Sequence, residues 1–358
     1  MDFSESLRAA SYVGGYAWWY VEAQDADKKY ALTLIVFAGS VFSAEYAKRI
    51  RLGQSLSGLD VPAVNLALCE RRGDAWKTTL WVMNEYPKSA LHTSPNSIKV
   101  ANTLFEVEPD GSVHVNLSEQ ATKFFGKAGE SVHLELRLSP PKHRFLPQLL
   151  GASTDGEAHF WQPHSLASSV QASLSRGGQT LTFSGLAYCD QNFGSGRLEH
   201  CFSHWSWAHG CSATGDAGGV LYDATSLDGK RRLISVSQHG SKDPEIHSFP
   251  RGTSDPRGTS ESLADGSQTS PEAPKASGTD FLWLKVPLGW SLPPLSVQRL
   301  PGSPRLDAPF YARFSVSMRD QRIPNELLFG VGEHLNLKRF SHPSLQFLLR
   351  YKTHQADR

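Results

Sequence analysis

Three observations predict an all-β fold of two antiparallel units in series, sandwich or barrel. First, apolar residues alternate with polar ones at Val113, Val115 and Leu117 and at Val132, Leu134, Leu136 and Leu138. The pattern recurs at Val170, Ala172 and Leu174 and at Phe310, Ala312, Phe314, Val316 and Met318. A period of two marks strands with one buried face. Second, no long amphipathic helix precedes the last segment. Third, a segment with three prolines at about 139–154 separates the alternating regions. It places one unit at 12–145 and a second at 150–340.

Taken in order, the chain begins with an aromatic-rich hairpin over 12–43. GYAWWYVEAQ and KYALTLIVFAGSVF are joined by the polar turn DADKK. AEYAKRIR, 44–51, suits one short helical turn. NLALCERR and TTLWVMNEY form another strand pair around Gly73 and Asp74. Residues 241–280 are rich in Ser, Pro, Gly and Asp and nearly lack large apolar side chains. Such a stretch buries too little to offset chain ordering, so a disordered insertion at a strand–strand connection is expected. FLWLKVPL, 281–288, reads as the strand that follows it. The last 25 residues are basic and partly apolar, and suit a closing strand with a solvated tail or a membrane-surface contact.

Composition narrows the class. A hydrophobic content of 39% in 358 residues supports a sizeable core. The formal net charge is +1, which gives no electrostatic case for nucleic acid as a partner. Four cysteines, Cys69, Cys189, Cys201 and Cys211, lack CxxC spacing, so free thiols in a reducing compartment are expected. The N-terminus carries no secretory signal pattern. The longest apolar run, Tyr30 to Phe42, is too short to cross a bilayer. A cytoplasmic protein, at most peripheral to the inner membrane, is the expectation. Nothing in the sequence speaks to oligomeric state.

Chemistry concentrates between His159 and Gly210. His159 and Trp161 are two residues apart, as are Tyr188 and Asp190. On a strand, such pairs share a face. An acid embedded among aromatic groups is held towards its protonated form and becomes a general acid. Trp161 and Tyr188 offer π faces for a nearby cation, and His159 can hold or deprotonate a water. Together they suit protonation of an alkene followed by capture of the carbocation by water. The bland alternative is an Asp190 that caps a turn beside core aromatics. No Walker loop, GxGxxG, HExxH or GxSxG element is present, and neither a cofactor nor a metal is expected.

Several stretches resemble one family. GSVFS at 39–43, WWYVEA and LTLIVF before it, NLALCERR with WVMNE, the HFW element, and YCDQNFG followed by FSHWSW are similar to the carotenoid 1,2-hydratases, also called hydroxyneurosporene synthases, and to their AttH-like relatives. The resemblance runs from about residue 12 to 240 and more weakly from 281 to 340. It implies two consecutive lipocalin-like β units. It implies cofactor-independent hydration of the terminal C1–C2 double bond of an acyclic carotenoid such as lycopene or neurosporene. On the family's H-x-W and Y-x-D elements, Asp190 would protonate C2, Trp161 and Tyr188 would stabilise the cation at C1, and His159 would place the water. His164 competes for the histidine role. Trp205 and Trp207 are candidates for cavity or core, and Cys189 should face away. Two other readings stay open: a pericyclase or terpene cyclase on the same scaffold, and a carrier of apolar ligands without chemistry.

Overall fold

The computed structural model describes residue 1, residues 3–251, residue 284, residues 286–342 and residues 353–356. Helix α1 (Phe3–Ala10) leads into β1 (Tyr16–Asp25) and β2 (Tyr30–Ala38), followed by α2 (Ala44–Arg51). Next come β3 (Pro62–Arg72), β4 (Ala75–Glu85), β5 (Leu91–Thr93), β6 (Ser97–Val100), β7 (Thr103–Val107), β8 (Val113–Thr122), β9 (Ala128–Leu138) and β10 (Gln148–Ala152). The two longest strands are β11 (Ala158–Arg176) and β12 (Gln179–Gly194), and α3 (Leu198–Cys201) follows. The second half holds β13 (Phe202–Cys211), β14 (Ala217–Ser226), β15 (Arg231–His239), β16 (Glu245–Arg251), β17 (Gly289–Leu292), β18 (Leu295–Asp307), β19 (Tyr311–Asp320) and β20 (Leu327–Asn336). Helix α4 (Leu337–Phe340) and the short β21 (His354–Gln355) end the described chain.

The strands form two curled sheets. The first runs β21-β4-β3-β2-β1-β12-β11-β9-β8-β7-β6-β5, with β10 also on β11. It bends until β4 meets β8, where the Met83 N–H donates to Thr122 Oγ1 at 2.8 Å. Its interior is filled by Trp19, Leu34, Leu66, Val115 and Leu134, among others. Helix α1 seals it: Phe3 is fully buried and lies 4.7 Å from the Trp19 ring. The second sheet runs β16-β15-β14-β13-β20-β19-β18-β17 around Leu221, Leu295, Phe314, Val316 and Met318.

A third core lies between the sheets, built from Trp18, Tyr20, Trp161, Tyr188, Trp205, Trp207 and Tyr222. Strand β1 therefore serves two cores. Ala17, Trp19 and Val21 enter the first sheet's interior, while Tyr16, Trp18 and Tyr20 face the second sheet. Burial on both faces explains why this stretch reads as a continuous aromatic run.

Some expectations need correction. The division between the sheets falls within 195–201, whereas the 139–154 segment lies inside the first sheet between β9 and β11. The physical reason is that β12 takes β1 as its neighbour, which keeps β11 and β12 with the N-terminal strands. Part of the expected insertion is ordered: 245–251 forms the edge strand β16 on β15. That strand is largely exposed on both faces, so backbone pairing holds it and its composition hid it. The rest of the expected insertion, 252–280, lies outside the described residues, as do 281–283 and 285 of the expected following strand and 343–352 of the basic tail. Residues 286–288 are not strand. The 44–51 segment is a full helix of eight residues, and α1 had no sequence signal that was read.

Gly39 ends β2 with a φ of +88°, and a Cβ there would stand 2.5 Å from the Gly58 Cα. Backbone cannot yield as a side chain can, so Gly39→Ala is expected to cost about 2 kcal/mol or more. Gly73, with a φ of +62° and open space around its Cβ direction, is the comparison. Urea unfolding of the two Ala variants should show the larger loss at position 39; equal losses would refute the steric argument.

Candidate active site

Three neighbouring strands of the first sheet bring the site together. In register, β11 sets His159 beside Gly194, Trp161 beside Asn192 and Pro163 beside Asp190 of β12. On the other side of β12, β1 sets Trp18 beside Asn192, Tyr20 beside Asp190 and Glu22 beside Tyr188. Paired residues present their side chains to the same face. That face meets Trp205, Trp207 and His209 of β13 and Tyr222 of β14, across the inter-sheet core.

Asp190 is 3% exposed, and His159, Trp161 and Tyr188 are fully buried. Asp190 Oδ2 accepts from Tyr188 Oη at 2.6 Å and from Trp161 Nε1 at 2.8 Å. Its Oδ1 accepts from Asn192 Nδ2 at 3.1 Å. Each donor favours the ionised carboxylate. Burial outweighs them and pushes the Asp190 pKa up to about 7, with the Glu333 charge adding in the same direction. With Oδ2 already taking two donors, a proton sits best on Oδ1.

Burial also pushes the Tyr188 hydroxyl well above its ordinary range, so it stays a donor. His159 joins through Asn192. Its Nδ1 lies 2.7 Å from Tyr16 Oη. Its Nε2 is buried without a hydrogen-bond partner, although the Asn192 amide approaches the ring. Burial lowers its pKa to about 3, so the imidazole is neutral. A neutral ring of this kind orients a water better than it removes a proton.

The other expected residues fall out clearly. His164 turns away to the Gly111 carbonyl, 2.7 Å from its Nε2. Cys189 points into the first sheet's interior. Trp205 stacks on His159 at 5.8 Å, and Trp207 lies 5.3 Å from Tyr188; the Nε1 of each is buried without a partner. Tyr16, Tyr20, Glu22 and Tyr222 were not singled out from sequence, and Asn192 and His209 were given no role in the site. Asn192 is the next inward residue after Asp190 on the same strand, so extending the period-two reading by one step finds it. The others come from strands whose adjacency no local pattern records.

A cleft of about 420 Å³ leads to this core between the sheets. Glu22, Lys28, Leu186, Tyr188, His209 and Phe329 are among its lining residues. His209 Nε2 is fixed 2.7 Å from the Leu166 carbonyl, which leaves Nδ1 buried and unpartnered. The assembly joins a carboxyl poised near neutrality to aromatic faces and neutral imidazoles. Such a set can deliver a proton into an apolar environment and hold the cation that results.

Comparison with known proteins follows the same line. Residues 34–255, more than half of the chain, match the family model for the carotenoid hydratase CrtC. The acyclic carotenoid 1,2-hydratase of Thiocapsa roseopersicina is 27% identical over 339 residues, 95% of this chain and 73% of its own length. The enzyme of the same name from Rubrivivax gelatinosus is 26% identical over 350 residues, again 95% and 73%. The crystal structure of an AttH protein from Nitrosomonas europaea superposes with a TM-score of 0.56 at 13% identity, covering 91% of this chain and 93% of that one, and supports the two-unit β fold. By the extent of the family match, this chain belongs to the carotenoid hydratase family.

Proposed function

We propose that this protein is a hydro-lyase that adds water across the terminal C1–C2 double bond of an acyclic carotenoid, lycopene or neurosporene, to give a 1-hydroxy carotenoid. The observation that carries the reading is a buried carboxyl with one oxygen fixed by Trp161 and Tyr188, whose pKa burial pushes up to about 7. Family membership supports the hydratase class and a carotenoid as substrate.

The proposed steps balance without an electron carrier, because hydration is redox-neutral. Asp190 gives its Oδ1 proton to C2, and the electron pair of the double bond forms the new C–H bond. A tertiary cation remains at C1. The π faces of Trp161 and Tyr188 stabilise it by about 0.5–2 kcal/mol each. A water held at His159 Nε2 bonds to C1 through its oxygen and returns one proton to the Asp190 carboxylate. The cleft beside Tyr188 gives the end group its approach.

The polyene resides in lipid, so the reading also requires contact with a membrane surface. No helix among the described residues is long and apolar enough to cross a membrane. The basic C-terminal stretch is the proposed contact. Ending the chain at Phe340 is expected to lower co-sedimentation with anionic liposomes, and unchanged binding would remove the tail from the argument.

Incubation with lycopene in liposomes and oxygen-18 water, with no cofactor added, is expected to yield a labelled tertiary alcohol. Asp190→Asn should lower the rate about 10³-fold while lycopene still binds. Bound but unconverted lycopene with the wild type would favour the carrier instead.

The pH dependence has a definite sign. Only protonated Asp190 donates, so the rate should fall tenfold per unit as pH rises above about 7. Stability follows the same group. Its folded pKa lies above the ordinary 3.8, so the unfolded chain ionises first and stability drains as pH rises from about 4 to about 7. At about 1.4 kcal/mol per unit, Asp190→Asn gains several kcal/mol relative to wild type at pH 8 compared with pH 4. Denaturant midpoints across that range check it; a flat difference would mean the carboxyl is not held protonated.

A further inference from the structure

Four charged side chains, three buried and Glu333 partly so, stand beside the site and take no part in the steps above. Arg305 Nη1 lies 3.0 Å from Glu22 Oε1, and both side chains are under 5% exposed. Arg313 Nη2 lies 2.8 Å from Glu333 Oε1, with its Nε at 2.9 Å. Burying an ion pair seldom adds stability over apolar residues of the same volume. Two such pairs in one core therefore call for another explanation.

Glu22 stands on β1, the strand next to β12. Glu333 stands on β20, in register with Trp207 of β13. The guanidiniums come from β19 and β18, one and two strands further out in the second sheet. Tyr20 is the register partner of Asp190, and its hydroxyl donates to Glu333 Oε1 at 3.3 Å. Tyr20 thus ties the Glu333 carboxylate to the strand that neighbours Asp190. Arg313 is braced behind it, with its guanidinium carbon 5.8 Å from the Tyr20 ring centre and 5.6 Å from that of Tyr311. Arg305 is likewise held by Ser315 Oγ at 3.0 Å and by the Trp76 face at 4.4 Å.

We infer that Glu333, anchored by Arg313, is a positioning residue for the acid: it sets a fixed negative charge beside the core that holds Asp190. The inference rests on Asp190 being the acid. A carboxylate placed so disfavours ionisation of Asp190 and favours a cation in the site. The other titratable groups facing this core are Tyr188, Tyr16, Tyr20, Glu22, His159, Cys201, His209, Tyr222 and Tyr311. The hydroxyls of the five tyrosines are pushed well above their ordinary range by burial, the Cys201 thiol is pushed up by it, and both imidazoles are pushed down. They stay neutral near pH 7, so the two ion pairs supply the field.

The test reads Asp190 itself. Its protonated carboxyl gives an infrared C=O band, assigned by its loss in Asp190→Asn, and the band is followed against pH. In Glu333→Gln an unpaired guanidinium remains, and the midpoint should fall by about one unit or more. The alkaline limb of the hydration rate should move with it, with KM for lycopene unchanged. Arg313→Met/Glu333→Gln removes both charges and should lower the midpoint less, because the two charges act on Asp190 in opposite directions. The expected order of midpoints is wild type, then the double variant, then the single. If the single variant fails to fold, the double variant against wild type still decides. An unchanged midpoint in either folded variant would overturn the inference. A wild type that shows the titration but makes no alcohol would sink the proposed reaction and leave the electrostatic claim to stand on the midpoints.

Discussion

The inter-sheet core is arranged around one constraint, the burial of the Asp190 carboxyl among aromatic side chains, which raises its pKa to about 7. Asp190 sits at 3% exposure and accepts three hydrogen bonds. Those bonds alone would drive it towards the carboxylate. A site that kept the donors but admitted water would hold an ordinary acid. Burial reverses the balance, and the neighbours then need to be apolar in bulk yet able to donate. Trp and Tyr are the side chains that meet both demands. Trp161 and Tyr188 bury their rings and spend one polar atom each on Asp190.

The same constraint explains why the site lies between the sheets. The interior of each sheet is filled by side chains that are mostly aliphatic. The first sheet does bury a carboxyl with donors, Glu119 held by Thr103, Asn84 and Tyr86, but outside the aromatic core between the sheets. The core between the sheets carries the aromatic residues, the neutral imidazoles and several buried polar atoms without partners, among them His159 Nε2, Trp205 Nε1 and His209 Nδ1. Such atoms cost free energy unless something polar meets them. Their grouping around one acid is the arrangement expected of a site that receives a polar reactant.

Much of this was legible in the sequence, for a physical reason. His159 with Trp161 and Tyr188 with Asp190 are period-two pairs, and β11 and β12 are consecutive strands of one hairpin. Local pattern and short-range pairing suffice to bring them together. The alternating strands β8 and β9 and the second half of β11 were legible because each has one wet face, whereas β19 alternates with polar side chains, Arg313, Ser315 and Ser317, that are themselves buried. What escaped depends on distant pairing. Tyr20 reaches Glu333 across 313 residues, and Arg305 reaches Glu22 across 283. Nothing local tells that β1 lies against β12, and that contact both completes the site and moves the sheet boundary past 194. Strand β16 escaped because ladder hydrogen bonds hold it, and those depend little on side-chain type.

The long-range contacts also give the two-sheet design its logic. An acid on one sheet, walled by aromatics of the other, is complete only when the sheets are docked in one relative position. Apolar packing alone tolerates sliding, since Trp and Tyr rings repack at small cost. Directed contacts do not. Tyr20 to Glu333 and Glu22 to Arg305 both join β1 to the second sheet, at successive inward positions of the strand that neighbours Asp190. They fix register at the point where register matters. A buried charge left without its partner is far costlier than a shifted ring, so any docking that misplaces the walls of the site also breaks a pair. The ion pairs thereby tie the geometry of the acid to the correct assembly of the whole chain.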